Sequence, residues 1–314
     1  MRVLVTGGAG FIGSHLVEAL KAAGHRVAVL DNLSTGRREN LPPDIPLYTI
    51  DLRDHKAITA HFSHQEYDVV FHLAAQVDVR TSVDAPLYDA EVNILGTLHL
   101  LEALRKQKTW VIFASTGGAI YGEKPRLPIP ESECPQPESP YGIAKLTAEL
   151  YLRSFFLTHG VPYTVLRLAN VYGPRQNPHA EAGVVAIFTH RLLTGQTAYI
   201  YGDGEQTRDF VYVADVVRAF ISVMEAPQHT QGQVFNVGTG VQTSINALYH
   251  AIATVVGVEA SPTYLPPKTG ELRHNALDTQ KLRAVAGWEP RYVLSEGIYH
   301  TVESFRQQIV AGSS

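Results

Sequence analysis

The stretch RVLVTGGAGFIGSHLVEALKAAGHRVAVLDN, residues 2–32, decides how the rest of the chain is read. RVLVT is apolar and β-branched enough for a buried strand, and HRVAVLDN repeats that character after a helix-length gap. Between them FIGSHLVEALKAAG carries apolar residues at helical spacing and stops at Gly24. Gly7, Gly10 and Gly13, spaced as GxxGxxG, fall at the junction of the first strand and the helix. Glycines there permit a tight turn, let backbone approach a pyrophosphate, and let the helix lie close to the sheet. The helix N-terminus then offers free N–H groups to a negative charge. A turn needed only for packing could use the same residues, but the position at the start of a βαβ unit favours a phosphate loop.

Asp31 closes the second strand, 18 residues beyond Gly13. A carboxylate there can accept both hydroxyls of an adenosine ribose and repels a 2′-phosphate, which selects NAD over NADP. Arg37 and Arg38 are the nearby residues that pull the other way. Asp51, at the end of the third expected strand, can bond an adenine edge.

Outward from this unit the alternation continues. LYTIDLRD, DVVFHLAA, TWVIFAST and YTVLRLANV read as strands, with helical patterns such as PLYDAEVNILGTLHLLEALRKQ between them. Apolar runs buried on both faces and joined by helices imply a Rossmann-type, doubly wound parallel α/β sheet. After about residue 170 proline, glycine and aromatic residues become frequent, as in VYGPRQNPHAEAG and YIYGDGEQTRDFVYV, which suggests a smaller C-terminal substrate lobe. The expected division is therefore 1–170 for cofactor binding, with segments returning at about 209–240 (QVFNVGTG reads as a strand), and 171–314 mainly for substrate.

Bulk composition excludes several classes. At 314 residues, 45% hydrophobic and 18% charged, the chain has the make-up of an ordinary globular protein. A net charge of −4 gives no electrostatic reason for a nucleic-acid or membrane partner. No apolar run reaches spanning length, and the chain opens on a strand rather than a signal peptide. The single cysteine, Cys134, excludes an internal disulfide framework and fits a cytoplasmic setting. His61 and His64 lie one turn apart, yet the segment TAHFSHQE reads as a solvated helix without a third ligand, so no metal is expected.

SPYGIAK, residues 139–145, places a tyrosine four positions before a lysine. Spacing alone does not decide its meaning, since Tyr264 and Lys268 repeat it across the two prolines of YLPPK. In the first pair Ser139 can cap and Pro140 suits the first helical position, so Tyr141 and Lys145 share one face at a helix start.

With TGGAGFIG (6–13), Asp31, HLAA (72–75), FASTGGAIYG (113–122) and YGIAK (141–145), the chain resembles the extended short-chain dehydrogenase/reductases. Among them it is most similar to the UDP-glucose 4-epimerases, essentially end to end. The resemblance implies NAD as cofactor, with Tyr141 as catalytic base and Lys145 holding the nicotinamide ribose while lowering the tyrosine pKa. A free phenol titrates near 10, so neutral-pH work calls for a depression of about three units, roughly 4 kcal/mol. It assigns Thr116 to a sugar oxygen and Ser115 to the nicotinamide side, although TGG here is one residue longer than the usual run of serines. Phe11 and Ile12 would flank the pyrophosphate and Asn32 the ribose, with Leu52 beside Asp51 also among the cofactor-binding residues. Leu73, Ala74, Ala75 and Asn93 would line the cofactor side of the cleft. On the substrate side it implies Asn170, Arg208 for the diphosphate, and Glu271 for the uridine ribose. Lys268 stands where the family often has arginine, with Arg273 as a possible substitute, and Asn275 borders the hexose 2-position.

The implied reaction interconverts UDP-glucose and UDP-galactose through a transient 4-keto sugar. The rivals are an NDP-sugar 4,6-dehydratase or decarboxylase on the same scaffold, and a non-catalytic NAD-binding regulator. Dehydratases usually carry an Asp-Glu pair where this chain has Gly117 and Gly118, and an intact Tyr141, Lys145 and Thr116 argues against the regulator. The resemblance also implies a homodimer joined through helices at about 86–106 and 141–158.

Overall fold

The stretches expected as strands pair into one parallel sheet. The computed structural model describes residues 1–179, 183–259, 261–267 and 272–312. Its strands are β1 (Arg2–Thr6), β2 (Arg26–Leu30), β3 (Leu47–Tyr48), β4 (Val69–His72), β5 (Trp110–Thr116), β6 (Tyr163–Leu168), β7 (Asn170–Tyr172), β8 (Tyr199–Tyr201), β9 (Thr207–Arg208), β10 (Phe210–Tyr212), β11 (Gln233–Val237), β12 (Thr243–Ser244) and β13 (Thr263–Leu265). Seven of them form the main sheet in the order β11-β6-β5-β4-β1-β2-β3. The order reverses between β1 and β4, and a doubly wound sheet opens its ligand crevice at that point, beyond the strands' carboxyl ends.

Side-chain alternation explains why the strands read as unbroken apolar runs. On β1, Val3 and Val5 enter one core with Val29 and Phe71, whereas Leu4 enters the opposite core with Leu30 and Val70. The first face is covered by α1 (Phe11–Ala22) and helix Val213–Glu225. The second is covered by α2 (His55–His64) and helices Gly96–Leu104 and Pro140–His159. Each fully buried aliphatic side chain contributes on the order of 1.5–3 kcal/mol, so a sheet covered on both faces is strongly favoured. A third core, including Tyr172, Phe188, Ile200, Leu248 and Ile298, gathers residues of the second half. There β7 pairs with β10, β8 with β13, and β9 with β12.

Three local expectations need correction. The third strand ends at Tyr48, so Asp51 lies in the turn beyond it. The segment expected as one helix over 86–107 divides into Pro86–Ala90, a π turn over Glu91–Leu95 and Gly96–Leu104. His61 is buried and shares a hydrogen bond with the Tyr67 hydroxyl at 3.1 Å, so the helix carrying it is not simply solvated. Among the described residues no three of His, Cys, Asp and Glu come together as a metal-binding group. No helix among them is long and apolar enough to cross a membrane.

Candidate active site

Backbone geometry at the end of β1 makes an anion cradle. Gly7 has φ +68°, and a Cβ there would stand 2.7 Å from Ala74 N. A Cβ on Gly13 would collide with the Gly7 carbonyl, so helix and loop approach only because neither residue has a side chain. Gly10 caps α1 without a side-chain hydrogen bond, and no acidic residue occupies the first turn. The positive end of a 12-residue helix is thus uncapped where a diphosphate would lie. Phe11 and Ile12 form that first turn and pack toward the third core.

Asp31 is buried, and its two carboxylate oxygens accept from Ala9 N at 3.0 Å and Leu33 N at 2.8 Å. Burial pushes its carboxyl up, and the two backbone donors oppose that shift. Arg38 is turned away, donating to the carbonyls of Pro42 and Pro43. Asn32 Nδ2 donates to Asp51 at 2.9 Å, and the Arg53 guanidinium beside Asp51 holds that carboxyl well below the usual range. Leu52 is buried against Gly96, and its carbonyl accepts from His99 Nδ1. Leu73, Ala74 and Ala75 are half-buried beyond β4, and Ala74 N donates to Thr6 Oγ1 at 3.2 Å. Asn93 is buried in the π turn, where it exchanges hydrogen bonds with the backbone of Gln76.

Ser139 caps helix Pro140–His159 by accepting from Gly142 N at 3.1 Å, with Pro140 in the first turn. Tyr141 and Lys145 consequently sit one turn apart on the helix, Lys145 Nζ 6.0 Å from the tyrosine ring centre. Nζ donates to the Ala114 carbonyl at 2.9 Å, which anchors the ammonium to the catalytic strand end. Burial pulls Lys145 down to about 8, opposed by the charges of Asp89 and Glu149. Tyr141 moves opposite to the expectation. Burial of its hydroxyl end pushes the phenol up, the Asp89 charge adds to this, and a hydrogen bond with Thr116 opposes it. Desolvation therefore outweighs the help from Thr116.

Ser115 also departs from its expected place. Its hydroxyl is buried and donates to Glu149 Oε1 at 2.5 Å, on the side away from Thr116, because neighbouring strand residues face opposite ways. Glu149 in turn pairs with Arg167 at 2.6 Å, and Arg167 donates to the Tyr121 hydroxyl. Asp89, Gln76 and this Glu149–Arg167 pair were not singled out from sequence. The spacings Lys145–Glu149 and Asp89–Asn93, both i,i+4 on helical segments, were the available signals.

On the substrate side, Asn170 Oδ1 and Asn275 Oδ1 are buried acceptors with no donor among the described residues. Asn275 Nδ2 donates to the Gly117 carbonyl at 3.3 Å, and a Cβ on Gly118 would come within 3.8 Å of Asn170 Oδ1 and of Thr116 Oγ1. The two asparagines and Thr116 thus converge on one short turn. Arg208 is half-buried on β9, with Nη1 donating to the Thr207 carbonyl at 2.8 Å. Arg273 forms an exposed pair with Asp203 at 2.8 Å. Lys268 and Glu271 lie outside the described residues.

A glycine cradle beneath an uncapped helix, a buried carboxylate at the second strand and a Tyr-Lys-Thr cluster across the crevice fit a bound dinucleotide. Residues 3–238 match the NAD dependent epimerase/dehydratase family. The chain belongs to that family. A UDP-glucose 4-epimerase of Mycolicibacterium smegmatis is 46% identical, over 98% of this chain and 99% of its own length. The crystal structure of a Thermotoga maritima UDP-glucose 4-epimerase with UDP-glucose superposes with a TM-score of 0.96 at 50% identity, covering 98% of this chain and all of the other. A Thermus thermophilus UDP-glucose 4-epimerase in complex with NAD gives 0.91 at 45% identity, covering 98% and 99%. In this member of the NAD dependent epimerase/dehydratase family the turn after the catalytic strand carries Gly117 and Gly118, and a Cβ on Gly117 would strike Leu277. Any side chain at Gly117 requires that Leu277 move.

Proposed function

We propose that this chain interconverts UDP-glucose and UDP-galactose by NAD-dependent 4-epimerisation. The observation that carries the reading is Tyr141 one helical turn from Lys145, whose ammonium is anchored on the Ala114 carbonyl of the strand that ends at Thr116. Residues 1–170 and the returning segment at about 209–240 hold NAD, through the cradle around Gly7, Gly10 and Gly13 and through Asp31. Residues 171–314 mainly hold the sugar nucleotide, with Arg208 on its diphosphate.

NAD bound in that cradle would supply the hydride chemistry at C4 of the sugar. Tyr141 takes the proton of the 4-hydroxyl and gives it back when the keto group is reduced. Thr116 orients that hydroxyl, and the Lys145 ammonium stabilises the phenolate while it carries the charge. Asn170 and Asn275 offer unused acceptors to sugar donors, so a hydroxyl or amide there fills a bond that the protein leaves open. Ser115 acts behind the site, through Glu149, and does not touch the sugar.

The assembly is a homodimer. Helix Pro140–His159 buries one face on the sheet, yet leaves Ile143, Leu150 and Leu157 at 50%, 59% and 66% exposure. Leu87 and Leu95 on the adjoining segment are likewise exposed. Such a stripe suits a second copy. The single exposed cysteine fits a reducing cytoplasm.

Incubation with UDP-galactose and NAD, followed by product chromatography, tests the reading, and UDP-glucose is the expected product. A 4-keto-6-deoxy sugar would mark a dehydratase, and no turnover of any UDP-sugar a non-catalytic protein. Tyr141→Phe is expected to keep the fold and bound NAD while losing at least about 10²-fold in kcat. Near-normal activity in that variant removes Tyr141 from the mechanism.

A further inference from the structure

Polar side chains interrupt an apolar face just beneath the end of β5. On the side of the sheet that helix Pro140–His159 covers, β5 contributes Val111 and Phe113, and β6 contributes Tyr163 and Val165, all buried. The next positions on that side are Ser115 and Arg167, which are partners in the parallel ladder. Both turn to one acceptor on the helix. Ser115 Oγ donates to Glu149 Oε1 at 2.5 Å, and Arg167 reaches the same carboxylate with Nε at 3.0 Å and Nη2 at 2.6 Å. Arg167 Nη1 donates to the Tyr121 hydroxyl at 2.9 Å, which donates in turn to Asn236 Oδ1 at 2.8 Å. Ser115, Glu149 and Arg167 are all buried. A buried ion pair is often no better for stability than well-packed apolar side chains, so stability gives little reason for three polar groups at this level.

We propose that Glu149 is a positioning residue: by holding β5 and β6 on one carboxylate it fixes helix Pro140–His159 lengthwise on the sheet, and so sets where Tyr141 and Lys145 stand against Thr116. The proposal rests on the catalytic reading given above. Tyr141, Lys145 and Glu149 recur at i, i+4 and i+8, which puts them along one side of the helix. Thr116 follows Ser115 directly, so the tie lies one residue from the strand end that the reaction uses. The other ties between helix and sheet are less exacting. Ala144, Ala148, Leu152 and Phe155 are buried on the helix and hold it down through contacts without direction. Lys145 Nζ bonds the Ala114 carbonyl and lies 4.7 Å from the Phe113 ring centre, but it does so on a flexible four-carbon stem that can follow a small shift. The carboxylate–guanidinium fork is two-pronged and planar, so a lengthwise slip of the helix would break it.

Position and stability then come apart. An apolar filling of the same space keeps the helix on the sheet but lets it settle where packing alone is best. A misplacement of about 1 Å at a reacting group can cost on the order of 10²-fold in rate. The loss is expected in kcat, which needs Tyr141 aligned with the sugar. KM is expected to stay, because the sugar nucleotide is held mainly by the second half of the chain.

The probe is a triple variant, Ser115→Ala with Glu149→Met and Arg167→Met, which removes the tie and leaves none of its three members unpaired. Urea denaturation, kcat and KM for UDP-galactose are measured on the NAD-loaded enzyme. The urea midpoint is expected near or above that of wild type. A fall in kcat of at least about tenfold is expected, with KM within about threefold. Ser115→Ala alone keeps the ion pair and removes one strand from it, and a smaller loss in kcat, about threefold, is expected at unchanged KM. This single variant decides the matter if the triple variant does not fold. Leu152→Ala, on the same helix, is the control for loosened packing: its urea midpoint is expected to fall while kcat stays within about twofold of wild type. A kcat within about twofold of wild type in the folded triple variant, or in Ser115→Ala where only that variant folds, overturns the proposal. So does a loss in Leu152→Ala as large as that in Ser115→Ala, since any softening of the helix would then suffice. Tyr141→Phe keeps the two readings apart. If it stays active the catalytic reading falls, and if it is inactive while the triple variant keeps its kcat, only the role of Glu149 falls.

Discussion

Asn275 shows how a residue's role can be half legible. Its position, four residues after Glu271, led to the expectation that it borders the hexose, but nothing local shows which end of its amide is available. In the structure it is fully buried, and Nδ2 is taken by the Gly117 carbonyl, which leaves Oδ1 as the open group. An unpaired buried acceptor costs about 1–3 kcal/mol, so a ligand that donates there binds better. An acetamido N–H is such a donor, and asparagine leaves more room than tyrosine would. Measurable turnover of UDP-N-acetylglucosamine is therefore expected beside the main UDP-glucose and UDP-galactose activity. Asn275→Tyr is expected to lower kcat/KM for the N-acetyl sugar by at least about tenfold relative to UDP-glucose, with UDP-glucose turnover as the control for overpacking. Wild-type enzyme without any N-acetyl turnover would end the size argument at this position. Asp31 was legible by place, as the acid closing the second strand. Its second task was not, because the bond from Ala9 N joins residues 22 apart.

At the scale of elements, helix Pro140–His159 was readable from both ends: Ser139 and Pro140 start it and Gly160, in the left-handed region at φ +71°, stops it. Its inner face also follows from packing, since Ala144, Ala148, Leu152 and Phe155 are buried against the sheet. The outer face reads as one more apolar stripe, and only the fold shows that the described elements of this chain leave it uncovered. Ile143, Leu150 and Leu157 recur every seven residues and stay exposed, a seam suited to a partner helix. Leu150→Glu is accordingly expected to yield a monomer that keeps its fold and NAD affinity, against a homodimer for wild type, by sedimentation equilibrium. Wild-type protein that sediments as a monomer at micromolar concentration would count against the seam. The neighbouring segment was less legible. The pattern over 86–107 looks like one helix, but the side chain of Asn93 must reach the Gln76 backbone, and the turn widens to a π geometry at that point. Such a demand comes from a loop 17 residues away and leaves no trace in helical periodicity.

At the scale of the whole molecule, the parallel sheet was legible because burial on both faces writes itself into each strand, whereas the polar ties between elements were not. Asp209 accepts from Thr239, Gly240 and Leu277, and His72 joins β1 to helix Gly96–Leu104 through Thr6 and Thr97. His72 gives the last expectation. It is fully enclosed, and desolvation lowers its pKa to about 3 from 6.5. Between those values the unfolded chain binds a proton that the folded one does not, so the term is present above about pH 6.5 and is lost as the pH falls toward 3. The loss runs at about 1.4 kcal/mol per pH unit. His15 and His61 are lowered by burial and act with the same sign. Asp31, Asp89 and Asp209 are raised, bind protons more readily when folded, and oppose the loss in the mildly acid range. A raw stability profile mixes these terms, but the difference between wild type and His72→Gln isolates one of them. Glutamine can bond both threonines and does not titrate. The stability advantage of wild type, from urea denaturation, is expected to shrink by about 2–3 kcal/mol between pH 7 and about pH 4.5. A gap that does not change with pH would mean that His72 takes up its proton equally in the folded and unfolded chains.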